Sequence, residues 1–191
     1  MRIGVVSDTH MPRTAKTLPA ALAQALRGSD LILHAGDWTD LSVLAQLERI
    51  APVVGVAGNN DGADIARKFG YRRTIAAGRI RIGLVHGHGD GGRSETAARA
   101  LKAFAGEDVH VVVFGHSHVP LLEERDGVLL FNPGSPTDKR RQPRYSCGLL
   151  DVEEDLVRAR HIFFDRDSPS GKGAASRRRK GERRPGGRPP G

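Results

Sequence analysis

The sequence predicts an α/β fold, on three observations. Short apolar runs alternate with Ala- and Leu-rich stretches of helical period through residues 1 to 166. The runs end in small or polar residues, Gly with Asp, Asn or His being the recurrent combination. A chain of 191 residues, 38% of them hydrophobic, can enclose one sizeable core.

Taken in order, Ile3 to Val6 is the first strand, and Leu18 to Leu26 is a helix with Gly28 near its end. Leu31 to Leu33 is a second strand, Leu41 to Arg49 a second helix and Val53 to Val56 a third strand, followed by a loop containing Asp61 and Asp64. Arg72 to Ala76 and Arg79 to Val85 read as paired strands around Ala77-Gly78. Thr96 to Phe104 is a third helix. From Val109 the pattern is mostly strand: Val109 to Phe114, Leu121 to Arg125, Val128 to Phe131, Ser146 to Val152 and Leu156 to Phe163, with a hairpin turn at Asp126-Gly127. There is no internal repeat. So many strands fit two packed sheets with helices outside better than one doubly wound sheet, although the alternation is compatible with both.

Aromatic residues make up only 5% of the chain while Gly (24) and Pro (11) are plentiful, so the core is aliphatic and the loops many. The single Cys147 excludes a disulfide framework. No apolar run approaches the ~18 residues of a membrane span, and the first strand meets Ser7 and Asp8 before any signal-peptide core forms, so the expected location is cytoplasmic. The net charge of +8 is unevenly placed. Residues 168 to 191 hold eight basic residues and one acid, leaving 22 basic and 21 acidic residues in the body. That segment, rich in Arg, Gly, Pro and Ser and without Leu, Ile, Val or aromatic residues, reads as a disordered tail over 167 to 191, beyond a domain of 1 to 166. A solubilising role is the simplest reading; a nucleic-acid contact through the tail has only its charge in support.

The chemistry gathers at the strand ends. Ser7-Asp8-Thr9-His10, Gly36-Asp37-Trp38-Thr39-Asp40, Gly58-Asn59-Asn60-Asp61, His86-Gly87-His88 and Gly115-His116-Ser117-His118 each follow an apolar run. In an α/β fold with parallel strands these ends share one edge, where ligands bind. Any one cluster alone is better explained by helix caps and tight turns. Five of the eight histidines nevertheless fall in these motifs, whereas His34, His110 and His161 lie in strand patterns and read as structural. Carboxylates, a carboxamide and imidazoles without Cys suit Mn²⁺, Fe²⁺, Zn²⁺ or Ni²⁺ rather than a thiolate-held structural zinc. Seven candidate ligands exceed the needs of one ion and suit two that share a bridge, the standard device for activating a hydroxide against a phosphoester.

These motifs in this order, with Asn132-Pro133-Gly134-Ser135 after them, resemble the calcineurin-like metallophosphoesterase superfamily over roughly residues 1 to 164. Within it, the short length and the Asn-Pro-Gly-Ser element are similar to the small bacterial and archaeal phosphodiesterases of the YfcE/MJ0936 type. The resemblance implies a four-layered α/β/β/α sandwich of two packed mixed sheets flanked by helices. It implies that Asp8, His10 and His118 hold one divalent transition metal ion, that Asn59, His86 and His116 hold the other, and that Asp37 bridges them, with Mn²⁺ first among the candidate ions. His88 would line the substrate face, and Asp40 and Asp61 would orient turns or ligands. The Asn-Pro-Gly-Ser element either offers backbone N–H groups to the site or is an ordinary loop.

One departure stands out. Many superfamily members carry His after the ligand Asn, and here that position is Asn60, which can donate a hydrogen bond but cannot serve as a general acid near neutral pH. The small phosphodiesterase branch often lacks that His, so the expected activity is phosphodiester hydrolysis by in-line attack of a metal-bridging hydroxide, favouring good leaving groups and small substrates. A phosphomonoesterase or nuclease of the same superfamily, or a non-catalytic scaffold of the same fold, are the alternatives. The near-neutral body argues against a dedicated nuclease, and the intact ligand set argues against a scaffold. The oligomeric state stays open, a homo-oligomer included.

Overall fold

The computed structural model describes residues 1–165; the basic segment expected to form a separate tail lies outside the described residues. Ten strands and four helices follow one another as β1 (Arg2–Val6), α1 (Ala20–Leu26), β2 (Leu31–His34), α2 (Ser42–Leu47), β3 (Val53–Gly55), α3 (Ala63–Phe69), β4 (Arg72–Ala77) and β5 (Ile80–Val85). The chain continues through a 3-10 turn (Arg93–Glu95), α4 (Thr96–Lys102), β6 (Val111–Val113), β7 (Leu121–Arg125), β8 (Val128–Asn132), β9 (Tyr145–Glu153) and β10 (Leu156–Phe164).

The strands form two five-stranded mixed sheets, ordered β10-β9-β1-β2-β3 and β4-β5-β6-β8-β7. In the first, β1, β2 and β3 run parallel, β9 runs antiparallel to β1, and β10 runs antiparallel to β9 at the edge. In the second, β5, β6 and β8 run parallel, with β4 and β7 antiparallel at the edges. Alternation along each strand decides the layering. Val5, Leu33 and Val56 face Ile82, Leu84, Val111, Val113 and Phe131 between the sheets. Their neighbours Val6 and Ile32 turn outward onto Leu22 and Leu26 of α1, Val43 and Leu47 of α2, and Ile65 and Phe69 of α3. On the far side, Val112, Phe114 and Leu130 pack against Ala100 of α4 and Phe104. The result is helix, sheet, sheet, helix, with a mainly aliphatic layer between the sheets and two outer layers that also hold Trp38, Phe69, Phe104 and Phe114.

The expected elements are present; α1, α2, α4 and strands β3, β5 and β6 are shorter than expected, whereas β1, β2, β4, β8, β9 and β10 run one or two residues longer. One helix departs from the expectation: the segment read as a loop containing Asp61 and Asp64 includes α3. Its seven residues, closed by Gly62 and by Gly70 at φ 68, bury only Ile65 and Phe69, one i,i+4 pair. So short a repeat gives too few apolar positions to register as helical period. The hairpin at Asp126-Gly127 has both residues at positive φ (53 and 76), the geometry of a type I′ turn. No helix among the described residues is long and apolar enough to cross a membrane.

Candidate metal centre

Parallel strands β1, β2, β3, β5 and β6 end at one edge of the sandwich, and the segment after each turns sharply there. Asp8, His10, Asp37, His116 and His118 all have positive φ, between 44 and 65. Non-glycine residues adopt this region at a cost and persist in it only where the surroundings over-determine them. Five such residues among seven candidate ligands mark the edge as a built site rather than a row of helix caps. The turns also need close approach. A Cβ on Gly115 would lie 1.8 Å from Ser7 Oγ and 2.7 Å from Asp8 Oδ2, and one on Gly58 would lie 2.2 Å from Asp37 Oδ1.

The turns bring five of the expected ligands into contact distance, all of them buried. Asp8, His10 and His118 form one group able to hold a cation, and Asp8, Asp37 and His86 form a second. Asp8 Oδ1 lies 3.3 Å from His118 Nε2, 3.9 Å from His10 Nε2 and 4.0 Å from His86 Nε2. Asp37 Oδ2 lies 3.3 Å from His86 Nε2 and 3.6 Å from His10 Nε2. Each carboxylate therefore faces both histidine sets, and Asp8 shares the intermediate position expected of Asp37 alone. Asn59 and His116 sit at the rim, where the Asn59 Oδ1 and His116 Nδ1 atoms are 3.0 Å apart. The His116 ring is 5.3 Å from that of His86, and its backbone N–H donates to Asp8 Oδ2 at 3.0 Å.

Backbone carbonyls fix which ring nitrogens face inward. His86 Nδ1–H donates to the Ala35 carbonyl at 2.7 Å, and His118 Nδ1–H to the Asp138 carbonyl at 2.5 Å. Each Nε2 thus turns toward the carboxylates. Buried Asp8 Oδ1 and His86 Nε2 have no hydrogen-bond partner. Ionised carboxylates facing imidazole nitrogens in a buried pocket fit a divalent cation and are costly without one. In the metal-free chain a proton takes that place. Burial opposes charge on His86, but the facing Asp37 carboxylate at 3.3 Å and the charge of Asp8 push it up to about 9. Burial likewise opposes ionisation of Asp37 and Asp8. The facing His86 imidazole and the Asn60 amide hold Asp37 well below the usual carboxylate range, and His118 with His86 holds Asp8 low. His116 is lowered to about 4 by burial and by the charge on His86, with Arg93 contributing.

A further layer braces these groups. Asp61 accepts the backbone N–H groups of Asp37, Thr39 and Gly58 at 2.7 to 2.9 Å, tying the β2 and β3 turns together. Asp40 instead accepts the N–H of Ser42 at the start of α2. Asn60 donates through its backbone N–H to Asp37 Oδ1 at 2.9 Å and through its carboxamide to Oδ2 at 2.7 Å, so its side chain is committed to that carboxylate. His88 is half-buried with its ring 5.4 Å from His86 and 6.4 Å from His116, and its Nδ1 has no hydrogen-bond partner. His34 is structural as expected, bonded to Thr9 and stacked on Trp38 at 3.6 Å.

The Asn-Pro-Gly-Ser element braces the site with side chains. Asn132 donates to the Gly115 carbonyl at 2.8 Å, and Ser135 Oγ donates to the Asp8 carbonyl at 2.8 Å. The roles of Ala35 and Asp138 had no signal in the sequence, because a carbonyl acceptor carries no residue identity.

Fold and site together define an α/β sandwich protein with a carboxylate–histidine candidate metal centre at the carboxyl edge of its parallel strands. The profile of the calcineurin-like phosphoesterase superfamily domain matches residues 1–155, and the chain belongs to that superfamily. A probable metallophosphoesterase of Methanothermobacter thermautotrophicus is 41% identical over 144 residues, covering 73% of this chain and 80% of that protein. Phosphodiesterase MJ0936 of Methanocaldococcus jannaschii is 27% identical over 148 residues, covering 70% and 83%. Vps29 of Entamoeba histolytica, solved in complex with zinc, superposes with a TM-score of 0.68 at 24% identity over 86% of this chain and 100% of that one, a likeness of fold.

Proposed function

We propose that the chain is a metal-dependent phosphodiesterase acting on small phosphodiesters, with two divalent transition metal ions, Mn²⁺ foremost. Asp8, His10 and His118 would hold one ion and Asn59, His86 and His116 the other, with Asp37 common to both sets. The observation that carries this reading is the buried pair of unpartnered atoms, Asp8 Oδ1 and His86 Nε2, inside a ring of donors whose tautomers the Ala35 and Asp138 carbonyls fix. Bound divalent ions supply Lewis acidity toward the phosphoryl oxygens and lower the pKa of the attacking water. The chain's own residues position that chemistry. Asn60 and Asp61 fix Asp37 and its turn, and Asn132 and Ser135 fix the turns carrying His116 and Asp8. His88, beside His86 and His116, is the nearest imidazole free to meet a substrate oxygen. No group at position 60 protonates the leaving oxygen, so turnover depends on leaving-group acidity.

Vps29 suggests a second reading, a scaffold of the same fold, but this chain retains every residue type of the candidate ligand set. A screen of the purified, metal-reconstituted protein against aryl and alkyl diesters, monoesters, cyclic nucleotides and single-stranded nucleic acid tests both. Metal-dependent diester turnover that chelator removes is the expected result. No turnover of any ester by the metal-loaded protein overturns the enzyme reading.

A further inference from the structure

Next to the candidate metal centre lies a cleft of about 410 Å³ lined by His118 together with Arg93, Lys139, Arg140 and Arg141. The four cations come from distant stretches. Arg93 opens the 3-10 turn before α4, while Lys139 to Arg141 follow directly on Asp138, whose carbonyl holds His118. Compensation is slight. Asp138 Oδ2 is 3.8 Å from Arg140 Nε, and the Lys139 ammonium donates to the Gln142 carbonyl at 2.9 Å. Among the described residues, Arg93 and Arg141 are exposed and make no ion pair. In a body whose 22 basic and 21 acidic residues nearly cancel, four cations around one cleft are a local concentration of field.

We infer that this cleft receives a second anionic group of the substrate, so that the preferred substrates are phosphodiesters one arm of which carries a further phosphate, as a phosphorylated nucleoside does. The inference rests on the phosphodiesterase reading and names the substrate class for that site. The scissile phosphoryl group must face the carboxylates and imidazoles at the strand ends, whereas the guanidinium groups line the space beyond His118. A phosphate there is gripped by guanidinium forks. An adjoining hollow shares Arg93, Ser117 and Val119 with the cleft and is otherwise largely apolar, with Ala97, Phe114 and Leu121 on its lining; it suits the nonpolar body of such an arm.

The test uses two diesters with the same leaving group, thymidine 5′-(nitrophenyl phosphate) and its 3′-phosphorylated analogue, with the full-length metal-loaded protein. The 3′-phosphate should raise kcat/KM by about tenfold or more, mainly through KM. In the double variant Arg93→Ala with Arg141→Ala the ratio between the two substrates should fall close to one. In Arg144→Ala, a neighbouring cation paired with Asp165 at 3.6 Å and not lining the cleft, the ratio should persist. Calorimetry gives an independent readout: thymidine 3′,5′-bisphosphate should bind the parent more tightly than thymidine 5′-monophosphate, and the double variant should bind the two alike. Equal kcat/KM for the two diesters in the parent, survival of the preference in the double variant, or an equal loss in Arg144→Ala overturns the inference. Cleavage of neither by a protein that turns over other diesters also overturns the inference; no turnover of any ester overturns the phosphodiesterase reading itself, and cleavage of both without preference overturns only the role of the cleft.

Discussion

Asp37 Oδ2 and His86 Nε2 face each other at 3.3 Å, while the other ring nitrogen of His86 is already committed to the Ala35 carbonyl. A proton or a cation must occupy that gap. With the His86 imidazole pushed up to about 9 from its ordinary 6.5, the metal-free chain holds the proton at neutral pH, and a metal must displace it. Metal affinity should therefore rise by up to ~10-fold per pH unit from neutrality to about pH 9. The sign for the fold is opposite. The stabilisation from protonated His86 is complete below about pH 6.5 and is lost as pH rises through 9, so the chelated protein should lose that contribution over the same window. Calorimetric titration with Mn²⁺ in buffers of different ionisation enthalpy reads the proton released; no release at pH 7.5 would contradict this account.

Asp37→Ala should remove metal binding and turnover together, because Asp37 Oδ2 faces both His86 and His10. Elemental analysis should find two ions per parent chain. One tightly held ion in the parent, or full activity in chelator, counts against the dinuclear arrangement.

Gly115→Ala should destabilise the fold by roughly 1–3 kcal/mol, since the added Cβ collides with Ser7 and crowds Asp8 at a buried turn. Thermal denaturation of the chelated protein measures it. A melting temperature equal to the parent's would mean that the β1 and β6 turns are freer to separate than their packing indicates.

Asn60→His should change the leaving-group dependence. In the parent, aryl diesters should be cleaved much faster than alkyl ones, because no acid at position 60 assists departure. An imidazole there should help poor leaving groups most and flatten the dependence. It also removes the carboxamide bond to Asp37 at 2.7 Å, so metal content is measured alongside the rates. Comparable rates for aryl and alkyl diesters in the parent would point to another proton donor, with His88 the first to replace.

Deletion of residues 168 to 191 should leave the turnover of a small diester unchanged, because that segment offers no Leu, Ile, Val or aromatic residue with which to build a site. If the full chain binds RNA or DNA, the truncated chain should bind more weakly and with a flatter salt dependence. A large loss of small-diester turnover would show that the segment contributes to the site.

The α/β class, the succession of strands along the chain and the residue types at each strand end are legible in the amino-acid chain alone, because period-two and helical periodicity are local and because Asp, Asn and His recur after five apolar runs. Asn60 is legible there too, as a departure. The tertiary structure decided what lies between residues far apart in the chain: that β1, β2 and β3 share one sheet and β5 and β6 the other, and that Asp8 joins Asp37 between the histidine sets. It placed the Asn60 amide on Asp37 and gathered Arg93 with Lys139 to Arg141 in one cleft. The tautomers of His86 and His118 follow from the carbonyls of Ala35 and Asp138. Such acceptors belong to the backbone and not to any residue type, so only the packing of turn against turn could reveal them.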